Sequence, residues 1–291
     1  MDILINLFIF SLVLFLYIHI YYHLKTSNYL EIYEIDSPSK EKFEELCYLK
    51  QPLIINNLNI LSDLDNISLE NFNKNYSSFH VKVVNNNDES NTYLPLKFND
   101  SLNLFENDTS SNYISEFNSE FLEETTIEKI LQTNDLFLRP YNIFNFEYDI
   151  IFGSLNSYTK LRYNLNTRTI IFVPQGEIEI TLIPPKDYKY LHVKKNYENF
   201  EFVSSIDIYN LKDIYQEDFN KIKLLRVNLL HDKTISIPPY WFYSIKILKK
   251  NTLIFKSKYT TTIATLAILP ELAMKFLQQN NIKSNITKII T

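Results

Sequence analysis

The sequence predicts a mainly β domain, a sandwich or closed barrel with flanking helices, carried behind one N-terminal membrane-spanning helix. Three observations predict it. A twenty-residue apolar run opens the chain at Ile3. Residues Glu177–Ile183 alternate strictly, with Ile178, Ile180 and Leu182 on one side and Glu177, Glu179 and Thr181 on the other, which is the period of a half-buried strand. From Tyr148 onward, short β-branched and aromatic runs recur between turns marked by Pro and Asn, as in sandwiches and barrels.

Composition sets the outer limits. With 291 residues, 45% hydrophobic and 22% charged, the chain can bury the core of one β domain with end extensions. The 21 Tyr and 21 Phe suit the pleated surface of strands. Only 2 Gly are present, which excludes Gly-rich phosphate loops of the dinucleotide or Walker type. A net charge of −5 without a long basic run points away from nucleic acid as a partner. Cys47 is the single cysteine, so neither an internal disulfide nor a Cys-based zinc cluster can form. A lone thiol also suits a reducing compartment. The bias to Asn, Ile, Lys and Tyr is that of an AT-rich genome, viral or protist. In so Asn-rich a chain, the five sequons at Asn66, Asn75, Asn99, Asn107 and Asn285 are near chance.

The opening run is ILINLFIFSLVLFLYIHIYY, residues 3–22. Twenty helical residues span about 30 Å, the thickness of a bilayer core. Fourteen of its first eighteen residues are Leu, Ile, Phe or Val. They favour insertion by roughly 4–8 kcal/mol, enough to offset Asn6, Ser11 and His19. A cleaved signal peptide fits less well, because there is no basic n-region and no small-x-small cleavage site; a buried core helix is the other alternative. Lys25 follows the segment and no Lys or Arg precedes it, which places the large domain in the cytoplasm of a single-pass protein. The expected division is an anchor over 1–25, the main domain over 26–268, and a C-terminal helix and tail over 269–291.

Ser37-Pro38 reads as the start of a helix over Lys40–Leu49, with Ser37 as cap, Pro38 in the first turn and Phe43, Leu46 and Cys47 inward. Leu53–Ile55 is a short buried strand. Residues 56 to about 120 are polar, with apolar clusters at Val81–Val84 and Tyr93–Phe98 that suggest strands joined by long loops. Glu123–Gln132 reads as a helix. Further strands are expected at Leu224–Leu229, Thr234–Ile237, Trp241–Leu248 and Thr252–Ser257. Pro270 then opens a short helix carrying Leu272, Phe276 and Leu277, followed by a polar tail.

Three stretches stand in a telling order. The first, Tyr29–Leu58, is a helix followed by a Pro-led strand. The second, IFGSLNSYTKLRYNLNTRTIIFVPQGEIEITLIPP, spans Ile151–Pro185, and the third, VNLLHDKTISIPPYWFYSI, spans Val227–Ile245. Together they resemble the JmjC and cupin-like hydroxylases over roughly residues 29–265. Gly153, Thr159, Gly176 and Pro184-Pro185 stand where that family has Gly and Thr before His-x-Asp, then Gly, a strand and Pro-Pro. Ile237-Pro238 and Trp241 match its "IP-x-x-WWH" strand. The resemblance implies a double-stranded β-helix, the jelly-roll barrel of cupins, and in active members Fe(II) and 2-oxoglutarate.

The departures fall on the chemistry. The family's His-x-Asp falls on Arg162-Tyr163-Asn164, its distal His on Tyr243, and its 2-oxoglutarate-binding Lys on Ile178. A ferrous centre of this kind needs two His and a carboxylate on one face of the metal. Arg has five N–H donors and no lone pair to offer, Asn a neutral carbonyl oxygen, and Tyr a phenol of high pKa. The other domain histidines, His80, His192 and His231, read as a strand start, a Lys- and Tyr-rich loop and a turn. The expectation is therefore no metal, no cofactor and no catalytic residue. Arg162, Asn164 and Tyr243 would converge at a vacated site, and period-two alternation puts Arg162 with Asn164, and Tyr243 with Trp241 and Ile245. Arg162 is either paired with a carboxylate such as Glu147 or Glu179, or it founds a pocket for a small anion. The resulting expectation is a membrane-anchored, catalytically degenerate binding or scaffolding module for an unknown protein or small anionic ligand. The alternative is a divergent Fe(II)/2-oxoglutarate hydroxylase or demethylase.

Overall fold

The opening run is one helix, Asp2–Leu24 (α1), in the computed structural model, which describes residues 2–58, 68–86, 93–197, 200–231 and 233–289. It is long and apolar enough to cross a membrane. Ile3, Leu4, Phe8 and Phe10 have no protein cover, which sets aside a buried core helix. Next come β1 (Tyr33–Asp36), α2 (Lys40–Tyr48) and β2 (Leu53–Asn56). The cap of α2 is Ser39, whose hydroxyl accepts from the Lys42 N–H, and not Ser37. Ser37 has a positive φ and donates its hydroxyl to the Asn57 carbonyl at 3.1 Å, so Pro38 stands outside the helix. Phe43 is fully buried, with Leu46 and Cys47 packed beside it.

The polar stretch holds more helix than its sequence suggests. It folds into α3 (Leu69–Tyr76), β3 (His80–Asn85), β4 (Tyr93–Lys97), α4 (Phe98–Asn107) and β5 (Tyr113–Ser115). Both helices bury only a narrow stripe, Leu69 and Phe72 in α3 and Phe98, Ser101 and Phe105 in α4. Such thin stripes are hard to see in a polar background. The helix expected over Glu123–Gln132 is two, α5 (Ser119–Glu124) and α6 (Ile127–Asn134). They break at Thr126, which takes φ +61°, while the Thr125 hydroxyl bonds back to the Phe121 carbonyl. Asn66 and Asp232 lie outside the described residues.

The remaining strands are β6 (Ile143–Gly153), β7 (Arg162–Tyr163), β8 (Arg168–Gln175), β9 (Glu177–Ile183), β10 (Val193–Asn196), β11 (Glu201–Ser204), β12 (Leu225–Leu230), β13 (Thr234–Ile237), β14 (Phe242–Ile247) and β15 (Leu253–Thr261). A short helix, α7 (Gln216–Phe219), precedes β12, and α8 (Thr262–Ala267) and α9 (Leu269–Ile289) close the chain. The helix after Pro270 runs on through the expected polar tail, since nothing beyond the proline breaks it. Among the described residues the strands make two sheets, ordered β1-β2-β13-β8-β15-β6-β5-β3-β4 and β10-β11-β7-β14-β9-β12.

The sheets pack face to face. Ile54, Ile171, Ile235 and Ile254 of the first meet Ile178, Ile180, Leu182, Tyr243 and Ile245 of the second in one buried cluster. The helices α3–α6 cover the outer side of the first sheet around Phe72, Phe98 and Phe121. Helix α2 is tied to β8 separately, through a buried ion pair between Glu44 and Arg168 at 2.6 Å.

Both glycines stand where the chain passes close to itself. Gly176, in the β8–β9 turn, has φ +94°, and a Cβ there would sit 2.1 Å from Thr252 Oγ1 and 2.7 Å from Thr252 Cα. With so few glycines, twelve other described residues take positive φ, and four of them, Asn57, Asn142, Asn156 and Asn251, are of the type that best tolerates it. Gly176→Ala should destabilise the protein by roughly 1–3 kcal/mol, read as a lowered urea midpoint, because both the backbone and the Thr252 contact oppose it.

The C-terminal end of α1 docks on the domain. It packs along α8, and the residues of its last turns that lose solvent are Leu16, Ile20 and His23. The Tyr22 hydroxyl donates to the Tyr48 carbonyl at 2.6 Å. Four residues beyond the helix, the Asn28 side chain accepts from the Lys186 N–H at 2.9 Å.

Candidate functional site

Two-residue strand β7 lies between β14 and β11, with Arg162 opposite both Tyr243 and Val203. Side chains directly opposite on neighbouring strands share a face, so Arg162 and Tyr243 point together into the space between the sheets. Asn164 lies just past the end of β7. Its carbonyl accepts the Tyr240 N–H at 2.9 Å, which binds it to the turn ahead of β14. Its amide nitrogen donates to the Tyr243 hydroxyl at 2.8 Å and to Thr169 Oγ1 at 2.9 Å. Of the three positions singled out in the sequence, Asn164 and Tyr243 are hydrogen-bonded to each other and Arg162 lies opposite Tyr243 on the neighbouring strand.

Arg162 is buried and bracketed by carboxylates. Nη2 meets Glu116 Oε1 at 2.7 Å, and Nη1 meets Glu201 Oε1 at 3.5 Å. Burial alone would lower the guanidinium pKa, but Glu116 and Glu201 raise it, so the charge is held firmly. Glu147 and Glu179, the partners the sequence suggests, are not used. Glu179 lies on the outward face of β9, across from Lys246, because the inward positions belong to Ile178 and Ile180. Glu147 pairs with Lys258 at 3.2 Å.

A second buried pair stands on the facing sheet, where Lys256 meets Asp149 across the β15–β6 ladder at 2.8 Å. Burial pushes the Asp149 carboxyl up, yet Lys256 and the Asn118 and Phe117 N–H groups hold it below its ordinary value. Those two amides, at 2.7 and 3.2 Å, pin the loop after β5 across this end of the molecule. The loop brings Glu116 to Arg162, and it lays the Phe117 ring against both cations, 5.0 Å from the Arg162 guanidinium and 5.5 Å from Lys256 Nζ. Phe117 takes φ +67° to do so.

Beside this plug lies a pocket of about 220 Å³. Its charged walls are Lys82, Lys160, Arg162, Glu116 and Glu201, and Phe117, Val84 and Val203 supply apolar surface. Lys82 is itself paired with Glu120 at 3.0 Å and lies under the Tyr93 ring. Glu116 is 3% exposed, and its second oxygen, Oε2, is buried without a hydrogen-bond partner.

As a donor set for ferrous iron, Arg162, Asn164 and Tyr243 do not fit. The guanidinium is a fixed positive charge committed to two carboxylates, and the Asn164 amide nitrogen and Tyr243 hydroxyl are bonded to each other. Among the described residues, no group of three His, Cys, Asp or Glu side chains could hold a metal ion. The domain histidines are scattered. His80 begins β3, His192 pairs with Asp218 at 2.8 Å near the surface, and His231 lies in the turn after β12.

Glu116, Glu201 and Lys256 are the site residues that sequence reasoning missed. Glu116 sits in a polar stretch with no period to mark it. Lys256 did leave a trace, since a lysine between Phe255 and Ser257 in an apolar strand must find a buried partner. No curated protein matches the chain. Residues 38–264 match the family described as cupin-like domain.

Proposed function

Because the chain belongs to the cupin-like domain family, we propose that it is a membrane-anchored, non-catalytic binding module built on a double-stranded β-helix. The strand winding supports the β-helix. Strands β6, β7, β8 and β9 alternate between the sheets, and β12, β13, β14 and β15 alternate back, giving the orders β13-β8-β15-β6 and β7-β14-β9-β12 at the heart of the two sheets. Such paired windings belong to jelly rolls and cupins.

One observation carries the non-catalytic reading, the Arg162–Glu116 ion pair standing where the family would hold its metal. A divalent cation approaching that point meets a guanidinium, and the nearest carboxylate, Glu116, already gives one oxygen to it. Metal analysis of the full-length protein after anaerobic incubation with Fe(II) should find no bound equivalent, and peptide mixtures should elicit no consumption of 2-oxoglutarate. One equivalent of iron bound with these residues as ligands, or turnover of 2-oxoglutarate, would establish the hydroxylase reading instead.

The anchor reading rests on α1, whose apolar side chains are uncovered from Ile3 to Phe15. Removing residues 2–15 should free the protein from alkali-washed membranes at unchanged melting temperature. Removing residues 2–25 should free it too, but at a cost of several degrees, because the seat of Ile20 and His23 is then bare. Retention of either truncated form in the washed pellet would count against α1 as the anchor.

A further inference from the structure

We propose that the pocket beside Arg162 binds a small zwitterion, an α-amino acid with an apolar side chain. The inference rests on the non-catalytic reading and names the ligand class of the same site. Its charges are separated and balanced. Lys82, Lys160 and Arg162 stand against Glu116 and Glu201, with Glu120 on Lys82 as the third carboxylate. A site that is neutral overall gives no advantage to a ligand of net charge, and two carboxylates bracketing Arg162 leave that residue poorly placed to capture a simple anion.

The charges also have a direction. The most buried of its lining residues is Glu116, whose Oε1 takes Arg162 and whose Oε2 has no hydrogen-bond partner. A buried carboxylate oxygen without a donor is costly, and an ammonium group is the donor that completes it. The terminal torsion of Glu is broad, so a small turn of the carboxylate presents Oε2 to the pocket. Glu201 is less buried and adds a second acceptor nearer the rim. Lys82 also lies towards the outside, with 21% of its side chain exposed and its partner Glu120 largely in solvent, so a ligand carboxylate can share it. Between these ends, Phe117, Val84 and Val203 offer apolar wall, and about 220 Å³ admits a side chain the size of leucine or phenylalanine.

The test uses full-length protein in detergent and three matched probes, leucine, isoamylamine and 4-methylpentanoate, titrated by calorimetry. Leucine should bind, with each half-ligand at least tenfold weaker. Glu116→Gln should weaken leucine tenfold or more. As that substitution also touches the Arg162 pair, Val203→Trp provides a second arm, filling the pocket without changing charge, and should abolish binding while leaving circular dichroism unchanged. Amine binding as tight as leucine, or acid binding tighter than leucine, overturns the proposal in favour of a cation or an anion site. No binding of any probe at 10 mM also overturns it. A parallel Fe(II) titration separates the two failures: absent leucine binding without iron defeats only the ligand class, whereas stoichiometric iron defeats the non-catalytic reading beneath it.

Discussion

Arg162→Met should lower the stability of the full-length protein by about 3–5 kcal/mol, the penalty for stranding a buried charge whose partner has been removed. Methionine keeps the length and apolar stem of the side chain, so the loss isolates charge from packing. Glu116 is left with neither oxygen paired, and Lys256 cannot replace the guanidinium without abandoning Asp149. Adding Glu116→Gln to Arg162→Met should recover much of the loss, because the stranded carboxylate is then gone. In a double-mutant cycle by urea denaturation in detergent, the two losses should therefore fall well short of additive. A single-variant loss under about 1 kcal/mol would mean that the ion pair does not hold this end of the fold together.

The triple variant Arg162→His, Asn164→Asp, Tyr243→His should acquire a metal site. The Asn164–Tyr243 bond of 2.8 Å and the Arg162–Tyr243 register put the three positions side by side. Two imidazoles and a carboxylate there make the facial set that ferrous and related ions accept. Glu116, released from Arg162, adds a nearby negative charge, while Lys256 stays neutralised by Asp149. Co(II) should give the variant a visible absorption band, and metal at a hundred times its Kd should stabilise the fold by about 2.7 kcal/mol. Turnover of 2-oxoglutarate is not expected to return while Ile178, fully buried, stands in the place of the family's lysine. A folded triple variant that stays colourless, or a wild-type protein that shows the same band, would sink the idea.

How much of this was legible depended on the physics behind each element. Strand β9 has its expected ends and alternates through Ile178, Glu179 and Ile180, because alternation of apolar and polar side chains is a local property of a half-buried strand, whereas Thr181, expected on the open side, is fully buried beside the Tyr209 hydroxyl. Strand β8 is buried nearly throughout, so its continuous apolar run carries no period to read. Arg162, Asn164 and Tyr243 were found through motif spacing, although up to 81 positions separate them along the chain. Their partners were not found. Glu147 was suggested by nearness in sequence, yet the carboxylate that reaches Arg162 comes from the loop after β5, 46 positions away. Loop paths are set by what the loop must cover, and here that meant two buried cations and the Phe117 ring between them. The caps tell the same story on a smaller scale, since Ser37 and Ser39 are equal as letters and only the backbone angles decide between them.

On the anchor reading proposed above, the docking of α1 fixes the posture of the whole domain. With Leu16, Ile20 and His23 held against the protein, the free apolar length is Ile3–Phe15, thirteen residues or about 20 Å. On that reading a bilayer core about 30 Å deep exceeds this free length, so the helix draws its point of attachment down to the headgroups and thins the bilayer around it. That point is the α8–α9 corner, where Leu266, Leu269, Phe276 and Leu277 are exposed. A domain mounted in this way does not swing on a leash. On that reading it rides flush with the lipid, turning only about the membrane normal, and every approach to its surface is sorted in advance into those that pass alongside the membrane and those that descend on it.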